Sequence, residues 1–143
     1  MNDEIEFDPV PEGWVPSTST GTYSSHAGPF YYREGDVPGV GFIAHPHHAN
    51  LAKIVHGGAL LMLADMALYD IFRRELGMFK GVTVTLNSEF LSAGPIGAFI
   101  EATGTPMRIG RGLMFARGEI KARGKLLLSF SGTIKRFDAP NAE

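Results

Sequence analysis

From residue 57 to residue 76 the chain runs through twenty residues dominated by Ala, Leu and Met, with Ile71 the one β-branched side chain. Such a stretch is a strong helix former. Gly77 follows as a natural stop, and Arg73 and Arg74 place positive charge where the helix dipole favours it. No other long helix is supported, and everything after this one reads as strand. Val82, Val84, Leu86 and Phe90 alternate with Thr83, Thr85, Asn87 and Glu89. Ala93-Gly94-Pro95 turns the chain, residues 99–107 form the next strand, and residues 109–112 turn it again. Residues 113–122 then pair with 126–136 across Arg123-Gly124. Ahead of the helix, residues 30–33 and 40–44 make short strands, and residues 46–50 open a loop or one-turn helix. Two short strands, one long helix and an antiparallel meander predict an α+β domain with the helix on one sheet face. The run Leu113-Met114-Phe115-Ala116 is apolar at consecutive positions, so the second face or an edge of the sheet is expected to be buried in an oligomer.

The 143 residues suit a single domain able to bury its core without staples. Residues 1–27 read as an N-terminal extended arm, acidic and then rich in Pro, Ser, Thr and Gly, in which Trp14 is expected to dock onto something. Residues 28–137 form the domain, and 138–143 a C-terminal tail. A net charge of -2 points to neither nucleic acid nor an anionic membrane. The absence of cysteine excludes disulfides, thiolate metal sites and a cysteine nucleophile. The N-terminus carries acidic residues rather than a secretory pattern, and the long apolar stretch is interrupted by Asp65. A soluble protein of the cytoplasm is expected.

Asp65 is the most informative residue. Its neighbours three and four positions away are Leu61, Met62, Leu68 and Tyr69, so it lies on an apolar side of the helix. A carboxylate there is costly unless a partner satisfies it, and such carboxylates cluster at active sites; a buried aspartate bonded to backbone or to a neighbouring chain is the alternative. Asp70 is the internal control: with Arg73 and Arg74 beside it, it reads as a solvated pair on a charged face. The second cluster is Val55-His56-Gly57-Gly58. Its glycines allow close approach of the backbone, and its position at the helix start leaves free N–H groups that can polarise a carbonyl. An ordinary capping histidine at a glycine-rich helix start is the alternative. His56 and Asp65 are nine residues apart, about 13 Å along one helix. That is too far for both to act on one carbonyl, so a joint site needs two chains.

His45, His47 and His48 crowd together, but their spacing is irregular and no carboxylate or cysteine completes a ligand set. No metal is expected. His26 reads as surface, and Met62, Met66, Tyr69 and Phe90 as core before pocket.

In order, Asn50, His56-Gly57-Gly58-Ala59, Leu63-Ala64-Asp65-Met66-Ala67, Thr83-Val84-Thr85-Leu86-Asn87 and Phe90-Leu91 resemble the phenylacetate-pathway (PaaI-type) branch of the hotdog-fold acyl-CoA thioesterases. The likeness spans roughly residues 30–136. It implies a hotdog fold, a long central helix wrapped by an antiparallel sheet, assembled as a dimer with intersubunit sites and usually a dimer of dimers, a homotetramer. It implies an acyl-CoA substrate, coenzyme A being part of that substrate rather than a cofactor. Asp65 then matches the catalytic carboxylate and Gly57 the N–H that polarises the thioester carbonyl. His56 matches the residue orienting that region, and Asn50 the side chain placing the thioester or water. Thr83 matches a hydroxyl near the carboxylate, across the interface from Asn50. Many members carry glycine three residues before the histidine, where Lys53 stands. Arg108, Arg111, Lys135 and Arg136 fall at strand ends or turns where coenzyme A phosphates could be met, a basic solvated rim being the first reading for any one of them. Two other readings remain open at this level: a hotdog hydratase or dehydratase acting on acyl thioesters, and a non-catalytic acyl-CoA-binding module.

Overall fold

The computed structural model describes residues 4–137, and the tail expected at 138–143 lies outside them. β1 (Trp14–Pro16), α1 (Tyr23–Ala27), β2 (Tyr31–Arg33) and β3 (Val40–Ile43) lead to a 3-10 turn at Pro46–His48. The long helix α2 (Gly57–Leu76) follows, then β4 (Gly81–Phe90), β5 (Phe99–Ile109), β6 (Leu113–Ala122) and β7 (Lys125–Arg136). All seven strands form one antiparallel sheet in the order β1-β2-β3-β5-β6-β7-β4. The helix therefore carries the chain from the middle of the sheet to its far edge, where β4 is the terminal strand.

Apolar residues of α2 recur at helical spacing: Leu60, Leu63, Ala64, Ala67, Leu68 and Ile71 are buried. They pack against β3, β4, β5, β6 and β7, and on β6 the inward residues alternate, with Met114, Ala116 and Ile120 buried. The approach is close at Gly132, where a Cβ would lie 2.4 Å from Leu68 Cδ1. Burying side chains of this size contributes about 1.5–3 kcal/mol each, and Leu68→Ala is expected to cost about 2–5 kcal/mol. A long helix wrapped by an antiparallel sheet is the hotdog arrangement.

The sheet does not cover α2 on all sides. Leu61, Met62, Asp65, Met66 and Tyr69 remain half-buried along one stripe. Outside the sheet, Leu113 and Phe115 of β6 are exposed while Met114 and Ala116 point inward, as the consecutive apolar run requires.

Residues 1–27, expected as an extended arm, carry two short regular elements in their described part, β1 and α1. β1 joins the sheet at β2. Trp14 meets Phe99 edge-on at 5.0 Å between ring centroids. Asp8 accepts the Phe99 N–H at 2.9 Å and pairs with Arg123 at 3.1 Å. The Arg123 guanidinium and the Phe99 amide hold its carboxyl below the ordinary carboxylate range.

Candidate active site

Asp65 is half-buried on the stripe of α2 that the sheet leaves open. Its Oδ1 accepts a 2.6 Å hydrogen bond from Thr83 Oγ1, as expected of a hydroxyl near the carboxylate, and the two belong to the same chain. Its Oδ2 accepts no hydrogen bond from any described residue. Tyr69, one helical turn beyond Asp65, donates its hydroxyl to the Gly81 carbonyl and so ties the start of β4 to the helix. Burial, followed by the charge of Asp65, raises the Tyr69 phenol above its ordinary value, so it stays a donor.

Asp70 corrects the sequence reading. It pairs with Arg73 at 2.6 Å and Arg74 at 3.2 Å as expected, but it is not solvated: only 2 % of the residue is exposed. The Gly39 N–H donates to its Oδ2 at 2.8 Å. Arg74 also donates to the carbonyls of Arg33 and Gly35. The segment joining β2 to β3 therefore folds over the helix, a contact no local pattern on α2 shows.

At the helix start, His56 is the N-cap. Its Nδ1 accepts the Gly58 N–H at 2.8 Å, which leaves any proton of the neutral ring on Nε2. The capping alternative is thus what the structure shows for the His56 side chain. Gly58 fits because it lacks a Cβ, which would lie 2.9 Å from His56 Nδ1. The Gly57 N–H makes no hydrogen bond to a described residue, so it and the dipole end remain available to a ligand oxygen. Phe90 stands beside it, 3.2 Å from where a Gly57 Cβ would be, and is 52 % exposed. Phe90 therefore belongs to the site's surroundings rather than to the core.

Asn50 organises the preceding loop. Its Oδ1 accepts the N–H groups of Ala52 at 2.9 Å and Ile54 at 3.3 Å. Its side-chain amide donates to no described residue. Lys53 sits at φ 61, the left-handed region in which glycine is unstrained. That conformation gives the physical reason a glycine suits this position.

Gly57 and Asp65 are eight residues apart on one helix, about 12 Å by its rise, so one chain does not bring them together. Arg108 lies at the end of β5 and Arg111 in the β5–β6 turn, with Lys135 and Arg136 at the end of β7. Register gathers them at the sheet end where α2 stops: Lys135 sits between Leu113 and Val82, and Arg136 opposite Gly81. This basic end is beside the Asp65–Thr83 pair, since Thr83 faces Ile134 on β7, and far from Gly57 of the same chain.

A cleft of about 450 Å³ opens beside the helix start, lined from α1 by Tyr23 and His26, from β3 by Phe42, and from α2 by Gly58 and Met62. His26, expected as plain surface, is exposed but faces this cleft, and Met62, expected first as core, also lines it. Of the crowded histidines, His48 bonds through both ring nitrogens and His47 through Nε2, all to backbone groups. Among the described residues, no group of three or more His, Asp or Glu could hold a metal ion. Nor is any helix there long and apolar enough to cross a membrane.

A family model described as the thioesterase superfamily matches residues 52–129. Solved structures share the fold. A Thermus thermophilus protein, TT0310, is 24% identical with a TM-score of 0.71, covering 80% of this chain and 97% of its own. The Escherichia coli PaaI protein of the phenylacetic acid degradation operon is 20% identical with a TM-score of 0.73, covering 83% and 87%. A Streptococcus pneumoniae hypothetical thioesterase solved with coenzyme A is 21% identical with a TM-score of 0.65, covering 73% and 81%. No protein of curated function matches the sequence significantly.

Proposed function

The chain belongs to the thioesterase superfamily, and from that premise we propose that it hydrolyses an acyl-CoA thioester at a site shared by two copies of the chain. The observation that carries this reading is the separation of two incomplete halves on one helix: a carboxylate with an unused oxygen, and an unengaged N–H at the helix start. In this reading the Gly57 N–H of one chain polarises the thioester carbonyl. Asp65 of the other chain, oriented by Thr83, takes the proton of an attacking water, or attacks directly to give an anhydride that water then opens. The carbon–sulfur bond breaks, the acid and the thiolate leave, and the thiolate is reprotonated. His56 holds the helix start in shape, and Asn50 offers its amide donor toward the thioester or water. The basic end formed by Arg108, Arg111, Lys135 and Arg136 meets the coenzyme A phosphates. The similar pneumococcal protein binds coenzyme A, and the PaaI likeness favours an aryl-acyl group.

Dimerisation is part of the proposal. β4 is a ten-residue edge strand with Val82 and Val84 exposed, and a long apolar edge of this kind requires a cover. A second copy pairing along β4 supplies one and brings the open stripes of the two helices together. The exposed Leu113 and Phe115 suit a further pairing of dimers.

A complementation experiment tests the shared site. Gly57→Pro removes the N–H at the first helical position, where proline is tolerated, and the preceding His56 at ψ 136 already suits a following proline. Asp65→Asn removes the base. Thiol release from acyl-CoA should vanish in each variant alone. Refolding the two together should restore about a quarter of wild-type activity, because half the dimers then carry one intact site. No recovery from two folded, mixed variants would overturn the shared site. Absence of thiol release by the wild type across a broad acyl-CoA panel would overturn hydrolysis itself.

A further inference from the structure

We propose that α1 is the outer wall of the acyl-group site and that His47 is the positioning residue that holds this wall. The inference rests on the thioesterase reading above. The cleft beside α2 begins at His56 and Gly58, next to the Gly57 N–H that meets the thioester carbonyl. Two groups leave that carbonyl carbon, the sulfur of coenzyme A and the acyl chain. No lysine, arginine or carboxylate lines the cleft; Phe30, Phe42, Met62 and several histidines do. Such a lining suits the uncharged acyl group, whereas the phosphates belong at the basic end of the sheet.

The wall is fastened by consecutive imidazoles to consecutive carbonyls. His48 Nε2 donates to the Ala27 carbonyl at 2.7 Å, and His47 Nε2 to the Gly28 carbonyl at 3.1 Å. The tautomer of His48 is set by geometry, since its Nδ1 accepts the His45 N–H at 3.0 Å. The His47 and His48 rings lie 3.9 Å apart, and His48 packs on Phe42 at 4.6 Å. The His48 carbonyl accepts the His56 N–H at 2.8 Å. One short segment thus holds both the wall and the cap of the catalytic helix. At the mouth, Tyr23 is 76 % exposed, so it bounds the cleft without supporting the core. The wall limits how long an acyl group the cleft accepts.

The test compares butyryl-CoA with dodecanoyl-CoA in the wild type, Tyr23→Ala, His47→Ala and His47→Gln. In Tyr23→Ala and His47→Ala the dodecanoyl-to-butyryl ratio of kcat/KM should rise roughly tenfold, the scale on which a pocket discriminates by size. His47→Gln should keep the wild-type ratio, because its amide N–H can still reach the Gly28 carbonyl. A purely structural role for His47 would lower both rates together and leave the ratio unmoved. Calorimetric binding of butyl-CoA and dodecyl-CoA thioethers separates this proposal from the hydrolysis reading. If no variant releases thiol but the thioether affinity ratio shifts in Tyr23→Ala and His47→Ala, the wall stands and hydrolysis falls. If thiol is released and neither ratio moves beyond about twofold, the wall falls and hydrolysis stands. With neither turnover nor thioether binding, both fall.

Discussion

Asp65 and Asp70 lie five residues apart on the same helix, and the fold treats them in opposite ways. Asp70 is sealed in, with Gly39, Arg73 and Arg74 of its own chain satisfying both oxygens. Asp65 stands on the open stripe with one internal donor, Thr83, and one oxygen unused among the described residues. A carboxylate completed within its own chain stabilises that chain and has nothing left to offer. One left incomplete on an uncovered helix face can take up a proton from water or meet a partner. The difference separates a carboxylate that holds the β2–β3 segment on the helix from one available for chemistry.

Substitution should divide the two cleanly. Asp65→Asn is expected to lower kcat about 100- to 10,000-fold, the usual contribution of a general base, with little change in urea midpoint. Asp70→Asn should do the reverse: about 3 kcal/mol of stability lost in urea unfolding, as for one partner removed from a buried pair, with kcat per folded molecule near wild type. Equal loss of turnover in a stable Asp70→Asn protein would erase the distinction. Gly39→Ala probes the Asp70 region from its donor side. An added Cβ would lie 2.8 Å from both Trp14 Cη2 and Arg33 Cβ, so the backbone that bonds Asp70 must shift, at a cost of about 2 kcal/mol and without effect on kcat. Thr83→Val probes the Asp65 region. Losing its 2.6 Å donor should reduce kcat about tenfold, or 1.4 kcal/mol of barrier, while Thr83→Ser retains most activity.

The smallest effect is a pH dependence that involves neither aspartate. Burial first, then the neighbouring His47 and His45, lower the His48 pKa below its ordinary 6.5, against the Ala27 carbonyl. The folded state therefore favours neutral His48, and the unfolded chain binds the proton more readily. Stability from this group is complete above pH 6.5 and falls as the pH drops from there through the lower folded value. A thermal-denaturation series in that window should show the decline, and His48→Gln should flatten it.

Most of the architecture was legible in the sequence because it is local. The helix is bounded by Gly57 and Gly77, and the β6–β7 hairpin turns at Arg123-Gly124, as propensity and turn chemistry require. The Asp65–Thr83 contact followed from the family resemblance rather than from spacing. Asp70 was misjudged because its nearest sequence neighbours are arginines, while Gly39, which closes it off, is 31 residues away. The tie from His47 and His48 to Ala27 and Gly28 left no signal in pattern or spacing.

The sequence alone determined the α+β class and where the long helix begins and ends, because propensity and periodicity act over a few neighbouring residues, whereas the residues' proposed roles in thioester chemistry came from the family resemblance. Only the tertiary structure decided which aspartate is buried, which face of the helix stays open, and what lines the cleft at its start. Those outcomes depend on distant segments folding over the helix, and a helix apolar on several sides does not itself say which side the sheet will cover.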